Sequence, residues 1–417
     1  MAAQYDVIVF GATSFVGQIL CRYLLEQFGI NKSLKWAAAG RSSSKLEQVR
    51  SELGAKAKKL PLLVADAADP VALAALCQQT RVMVSTVGPY ALYGEPLVKV
   101  CAESGTDYCD LTGEVQWIRR MVERYEIAAK QSGARIVHCC GFDSIPSDFG
   151  VYFLQQQAQQ RFGQPCTRVK MRVKAIRGGP SGGTAASLIN VVKEASKDAS
   201  LRKELANPYS ICPPKHGFTA RQANVKGGQY DSDFGTWVAP FVMAAINTRV
   251  VHRSNALSGN AYGSNFRYDE ASMVGRGLKG MLGAHAMGAA MGGFLLASAI
   301  PPSRWALERF VLPKVGEGPS PSAQEKGFYD LRFFGKTESG QTLRVKVTGD
   351  RDPGYGSTAK MLGQAAACLA LDFAKTGGKG DGKNNVGGGF WTPSTLFGDK
   401  LLARLTQYAG LGFEVIE

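Results

Sequence analysis

Residues 5–17, Tyr-Asp-Val-Ile-Val-Phe-Gly-Ala-Thr-Ser-Phe-Val-Gly, constrain the fold more than any other stretch of the chain. A mostly apolar run to Phe10 meets Gly11, the pattern of a buried parallel strand that ends in a tight turn. Helical spacing follows at once, with Phe15, Val16, Ile19, Leu20, Tyr23 and Leu24 on one face. Strand, glycine turn and helix start together form a place for a pyrophosphate. Backbone N–H groups at the helix N-terminus point outward, and the helix dipole favours an anion there. Gly11 permits the sharp turn, and Gly17 permits the helix to lie close to its strand. The spacing is Gly-x-x-Ser-x-x-Gly, so Ser14 stands where G-x-G-x-x-G has its middle glycine. Its amide can still donate, and its hydroxyl can add a phosphate contact. Thr13, Ser14, Phe15 and Val16 are the candidate cradle between the two glycines. A tight turn with no ligand is the alternative reading.

Residues 34–40 read as the second strand of such a fold, and the segment after it selects the nucleotide. An acidic residue here binds a ribose 2′-hydroxyl, whereas an Arg accommodates a 2′-phosphate. This chain has Arg41-Ser42-Ser43-Ser44-Lys45 and no Asp or Glu. Arg41 and Ser42 therefore point to NADP(H) rather than NAD(H). The third strand, 60–65, ends at Asp66, which could reach an adenine amino group or cap the next helix. The fourth, 82–87, runs into Gly88-Pro89-Tyr90, at the strand ends where ligands of doubly wound sheets bind. Gly88 and Pro89 are expected to border the nicotinamide. Tyr90 and Tyr93 lie beside them, with ring packing as the competing role.

A strand at 135–140 leads into Gly141-Phe-Asp-Ser-Ile-Pro-Ser-Asp148 and a helix to about residue 160. Asp143 and Ser144 end that strand's loop, so either can contact substrate or cap the helix. Tyr90, Asp143 and Ser144 are thus the candidate catalytic residues. A length of 417 residues exceeds one ordinary core and implies two domains. Nine cysteines without a C-x-x-C pair and only four histidines argue against a metal site or a disulfide scaffold, and for a reducing, cytoplasmic setting. The N-terminal apolar run opens directly into the fold and does not read as a signal peptide. Of the formal charge of +15, residues 141–417 carry +12. That excess suits an anionic substrate, an anionic lipid surface or plain solubility. No nucleic-acid-binding pattern is present, so nucleic acid is not expected.

Beyond residue 165 the pattern changes. Cys166–Ile176 alternates apolar and basic residues, as a half-solvated antiparallel strand does. A glycine-rich loop at 178–184 puts Ser181 and Thr184 on a candidate substrate side, and 203–235 reads as loop-rich cover. Residues 280–302 hold no formal charge, and His285 is the one ionisable group. The length suffices for a membrane span, but Ala and Gly dominate and gain little from hydrocarbon. Gly288 and Gly292 make a G-x-x-x-G spacing for close helix contact. Three readings stand: a helix at a dimer interface, a lipid-facing helix and a true span. A hairpin is expected at 326–348, a late helix at about 355–375, a loop with seven glycines at 376–389, a helix at 399–409 and a final strand at 412–416.

Six segments in order carry a family resemblance: Gly11-Ala-Thr-Ser-Phe-Val-Gly17, Gly88-Pro-Tyr90, Gly105-Thr-Asp-Tyr-Cys-Asp-Leu-Thr-Gly-Glu114, Gly141-Phe-Asp-Ser-Ile-Pro146, Asp352-Pro-Gly-Tyr-Gly356 and Gly389-Phe-Trp-Thr-Pro393. The chain resembles the saccharopine dehydrogenase-like oxidoreductases, which include mycobacterial trans-acting enoyl reductases. The resemblance implies an α/β Rossmann-type, doubly wound parallel sheet over 1–141, rejoined by the helix near 355–375. It also implies a second α+β domain with an antiparallel sheet over 142–354, followed by a C-terminal segment at 376–417. The expected activity is NADP(H)-dependent reduction of a hydrophobic or lipid-linked enoyl or carbonyl compound. A homodimer and peripheral contact with a membrane or lipid surface are expected with it. A non-catalytic nucleotide-binding protein at a lipid surface, a redox sensor or scaffold, is the competing reading.

Overall fold

The computed structural model describes residues 3–178, 182–312, 318–374 and 386–416; Ser181, the Thr184 side chain and 376–385 of the glycine-rich loop lie outside the described residues. The chain divides into two compact units, Met1–Phe142 with Gly316–Gly318 and Gly354–Ala409, and Asp143–Val315 with Pro319–Pro353 and Gly410–Glu417.

The first unit alternates strand and helix: β1 (Tyr5–Phe10), α1 (Phe15–Phe28), β2 (Trp36–Gly40), α2 (Ser43–Glu52), β3 (Leu62–Val64), α3 (Pro70–Gln79), β4 (Thr80–Ser85), α4 (Tyr90–Tyr93), α5 (Glu95–Ser104), β5 (Asp107–Asp110), α6 (Val115–Ser132) and β6 (Arg135–Val137). Strands this apolar on both faces need cover on both, and crossover helices supply it. The second unit contains α7 (Ile145–Phe162), β7 (Cys166–Arg177), α8 (Gly182–Lys197), α9 (Ala199–Ala206), β8 (Gln229–Asp231), β9 (Thr236–Ala239), α10 (Ala244–Leu257), β10 (Arg267–Gly275), α11 (Gly277–Ala299), α12 (Pro301–Phe310), α13 (Pro321–Glu325), β11 (Phe328–Thr337) and β12 (Thr342–Gly349). The chain then returns to the first unit with α14 (Thr358–Leu371), β13 (Gly389–Trp391) and α15 (Pro393–Tyr408), and ends in the second with β14 (Leu411–Val415).

The first sheet has the order β13-β6-β5-β4-β1-β2-β3 and is parallel throughout. The strand order reverses between β1 and β4, the switch point at which such sheets open a crevice. α14 packs on β1, β4 and β5 beside α1, and its residues from Thr358 to Ala370 are nearly all buried. Its alanines suit that place, since a small side chain lets a helix lie flat on a sheet. α15 begins earlier than its sequence suggests, because Thr392 and Thr395 form a capping box ahead of a kink at Gly398.

The second sheet runs β14-β12-β11-β7-β10-β9-β8. It is antiparallel except for β7 and β10, which pair in parallel. Arg168, Lys174 and Arg177 of β7 are exposed, but two of its basic positions are not solvated as the alternation suggests. Lys170 and Arg172 are buried, with Asp231 2.9 and 2.7 Å away and Asp269 2.6 Å from Arg172. Part of the positive excess of the second half is therefore internal and neutralised by partners.

A second buried polar cluster ties α7 and α10 to β10. Asn247 donates to Glu270 at 2.9 Å and to the Ser147 hydroxyl at 3.1 Å, and the Tyr268 hydroxyl donates to Glu270 at 2.7 Å. Burial pushes the Glu270 carboxyl from 4.5 up to about 7, against the hydrogen bonds from Tyr268, Ser147 and Asn247. A carboxyl raised on folding favours the native state below its unfolded value and loses that contribution as pH climbs to the folded one. The melting temperature should therefore fall between about pH 5 and pH 8, and Glu270→Gln should flatten that fall. A thermal-melt series across this range checks it; an unchanged slope in the variant would refute the assignment.

Candidate functional site

Two glycines shape the turn between β1 and α1. Gly11 has φ 88°, and a Cβ there would stand 2.7 Å from Thr86 Oγ1. At Gly17 a Cβ would stand 2.2 Å from the Gly11 carbonyl oxygen and 2.9 Å from Ala12 Cα. The helix thus rests on the turn with no room for a methyl group. The Gly11 and Ala12 amides donate to Ala39 O, and the Ser14 amide donates to Gly11 O. Ser14 Oγ accepts from the Gly17 amide at 2.9 Å and shares a hydrogen bond with Thr86 Oγ1 at 3.0 Å. This corrects the expected phosphate contact of the Ser14 hydroxyl: it caps α1 instead.

The amides of Thr13, Phe15 and Val16 have no partner among the described residues. The last two are the opening N–H groups of a 14-residue helix, which has no carbonyl behind it to accept them. Three unspent donors at the positive end of a helix dipole, with the backbone stripped of side chains by Gly11 and Gly17, fit a diphosphate. Phe15 offers its amide alone, since its ring packs edge-on against Tyr355 at 4.7 Å.

The neighbouring strand ends hold the other predicted residues. Arg41 follows β2, is exposed, and has no partner among the described residues. Ser42 caps α2, accepting from the Lys45 amide at 3.4 Å. Asp66 accepts from the Ala68 amide at 2.9 Å and so closes a turn, while Asp69 caps α3. Gly88 is exposed, and a Cβ there would meet only the Tyr90 ring, at 3.6 Å, so the backbone beside Pro89 stays open to approach. Tyr90 is a correction: it is buried, its hydroxyl donates to Ser85 O at 2.9 Å, and its ring lies 5.4 Å from that of Trp117. Its phenol serves packing and is not placed to give up a proton.

Two carboxylates that sequence reasoning left without a role hold these loops in place. Glu114 is buried; its oxygens accept from the Tyr90 amide at 2.8 Å and the Ala91 amide at 3.0 Å, capping α4 across the chain. Asp110 is fully buried at the end of β5. It accepts from the Tyr108 hydroxyl at 2.9 Å and the amides of Thr112 and Cys139 at 3.1 and 3.2 Å, and it pairs with His138 Nδ1 at 2.7 Å. Both lie within the Gly105–Glu114 motif, which was the available signal.

The two remaining catalytic candidates part company. Ser144 is fully buried and donates to Asn247 Oδ1 at 3.1 Å, so its hydroxyl belongs to the internal cluster on β10 and not to a substrate surface. Asp143 is half-buried, and loss of hydration pushes its carboxyl up to about 7. Neither side chain caps α7.

Residues 7–137, from β1 to the end of β6, match the family model described as the saccharopine dehydrogenase NADP binding domain. A Mycobacterium tuberculosis protein provisionally named trans-acting enoyl reductase is 38% identical over 414 residues, covering 96% of this chain and 95% of its own. The chain belongs to the saccharopine dehydrogenase-like oxidoreductase family. A trans-acting enoyl reductase of Mycobacterium bovis is 36% identical over 414 residues, covering 96% of each chain. Yeast saccharopine dehydrogenase (L-Glu forming) shares the fold, with a TM-score of 0.54 at 12% identity over 99% of this chain and 100% of that one. This family member is an NAD(P)-dependent oxidoreductase. Its first unit is where the matched domain and the three free amides coincide. Gly17→Ala should lift α1 off the turn and misplace the Phe15 and Val16 amides. NADPH affinity should then fall at least about ten-fold, with overpacking costing about 1–3 kcal/mol of stability. Fluorescence titration alongside a melt checks this; unchanged affinity would show that these amides do not bind the nucleotide.

Proposed function

We propose that this oxidoreductase uses NADPH to reduce a hydrophobic, lipid-linked enoyl compound, with a carbonyl group as the alternative acceptor. The observation that carries the substrate class is the end-to-end match to proteins named trans-acting enoyl reductase. The matched NADP binding domain supports the cofactor class. The amides of Thr13, Phe15 and Val16 hold the diphosphate. Arg41 takes the 2′-phosphate, where a planar guanidinium donates two parallel hydrogen bonds. The bound nicotinamide supplies the hydride.

Reducing a carbon–carbon double bond also consumes a proton. We assign it to Asp143, in the loop that leaves the carboxyl end of β6. A carboxyl raised to about 7 keeps a substantial neutral fraction near neutral pH, the requirement for a general acid. Tyr90 and Ser144 are committed to internal hydrogen bonds, which leaves Asp143 as the acid among the three candidates.

Steady-state oxidation of NADPH in the presence of a long-chain enoyl thioester tests the reading. Turnover should appear with NADPH. Arg41→Ala should raise the KM for NADPH about ten- to a hundred-fold, the worth of hydrogen bonds to a charged group, and leave that for NADH within about two-fold. Tight NADPH binding with no turnover on enoyl or carbonyl acceptors would instead favour a sensor or scaffold.

A further inference from the structure

α11 inverts the usual rule for a surface helix. Its buried residues are all small: Gly280, Ala284 and Gly288 along one stripe, and Ser298 near its end. A Cβ at Gly280 would lie 2.3 Å from Gly275 O, and one at Gly288 would lie 2.9 Å from Gly227 Cα. The helix therefore meets the backbone of its own unit, along the Gly227–Gly228 segment and the end of β10. The glycine spacing read as a helix–helix contact serves this packing at Gly288, while Gly292 has nothing near it. At about 100° per residue, Leu278, Leu282, Ala289 and Leu296 fall within about 40° of one another on the opposite side. From residue 280 to 303 that outward side has no charged residue.

α12 continues the surface. Trp305 is 62% exposed, Phe310 is 73% exposed, and their rings meet edge-on at 5.7 Å. Among the described residues, nine of the twenty exposed large hydrophobic side chains lie between Leu278 and Val311. An apolar concentration of this kind on a folded unit marks a docking surface. Cations stand at both ends, Arg276 and Lys279 before it and Arg304 and Arg309 after it, against the single acidic Glu308.

We propose that α11 and α12 dock this protein onto an anionic phospholipid surface, with the outward line of α11, Trp305 and Phe310 in the interfacial layer and the four cations among the headgroups. The charge pattern selects the occupant. Pairing the face with a second copy through a two-fold axis sets Arg or Lys against Arg or Lys in either helix direction. Anionic headgroups match both ends, and a Trp in the rim suits the membrane–water boundary. A span is excluded by the same geometry: crossing would drag the Gly227–Gly228 backbone into hydrocarbon with its polar groups.

The test is flotation of the full chain with phosphatidylcholine vesicles, with and without about one-third phosphatidylglycerol, at low and high salt. The protein should float with the anionic vesicles at low salt and release at high salt. Each cation replaced among Arg276, Lys279 and Arg309 should lower partitioning about five-fold. The Leu296→Asp/Trp305→Asp double variant alters only exposed positions, should melt like the parent, and should stay at the bottom of the gradient. Trp305 is the one exposed tryptophan, so wild-type fluorescence should shift to the blue on binding. No flotation at low salt, or flotation of the double variant equal to the parent, would overturn the proposal. So would a dimer in solution that the double variant splits while neither form binds vesicles. The assay needs no nucleotide, so its failure would leave the reductase reading standing.

Discussion

Contact between Gly17 and the Gly11 carbonyl is the constraint on which the first unit depends. Any Cβ at position 17 would stand 2.2 Å from that oxygen, so α1 can approach β1 this closely only with glycine there. The approach sets the angle at which the helix leaves the sheet. That angle turns the Thr13, Phe15 and Val16 donors outward while Ser14 and Gly17 satisfy each other. A helix N-terminus normally spends its opening amides on a cap or on water. Here the cap consumes one, and the rest remain for an anion.

The loops around that cradle are held from a distance. Glu114 reaches back 24 residues to the Tyr90 amide, and Asp110 reaches 28 residues to His138. Each carboxylate is buried, and each is satisfied by donors from a separate strand end. Buried carboxyl groups satisfied in this way hold loop positions, because withdrawing any donor leaves a buried polar atom unpaired. Thr358 adds a further tie, its hydroxyl accepting from the Phe142 amide and joining the β6 loop to the start of α14.

How much could be read from the sequence depended on range. The Gly11–Gly17 turn, the glycine after β4 and the basic residue after β2 are local patterns, and each element stands where its spacing places it. At Ser14, Tyr90 and Ser144 the sequence left a ligand contact open for one shared reason. Each has a polar group whose partner is set by packing, Thr86, Ser85 O and Asn247, whereas Asp66 takes a local partner, the Ala68 amide two residues on. The alternation in β7 misled similarly, since a lysine or arginine on a strand reads as solvated until Asp231 and Asp269 arrive from elsewhere in the chain. In α11 composition was informative and its meaning was not. Glycine or alanine at every fourth position from Gly280 to Gly292 signals close approach, and only the fold shows that the approaching surface is the protein's own backbone.

In the proposed complex a nucleotide diphosphate takes up the unspent amides at the start of α1. Hydrogen–deuterium exchange of the segment 11–18, with and without saturating NADPH, tests it most directly. Phe15 and Val16 should slow markedly when nucleotide is present, with Ser14 and Gly17 already slow in its absence. Equal exchange at Phe15 and Val16 in the two conditions, under saturation confirmed by fluorescence, would contradict it.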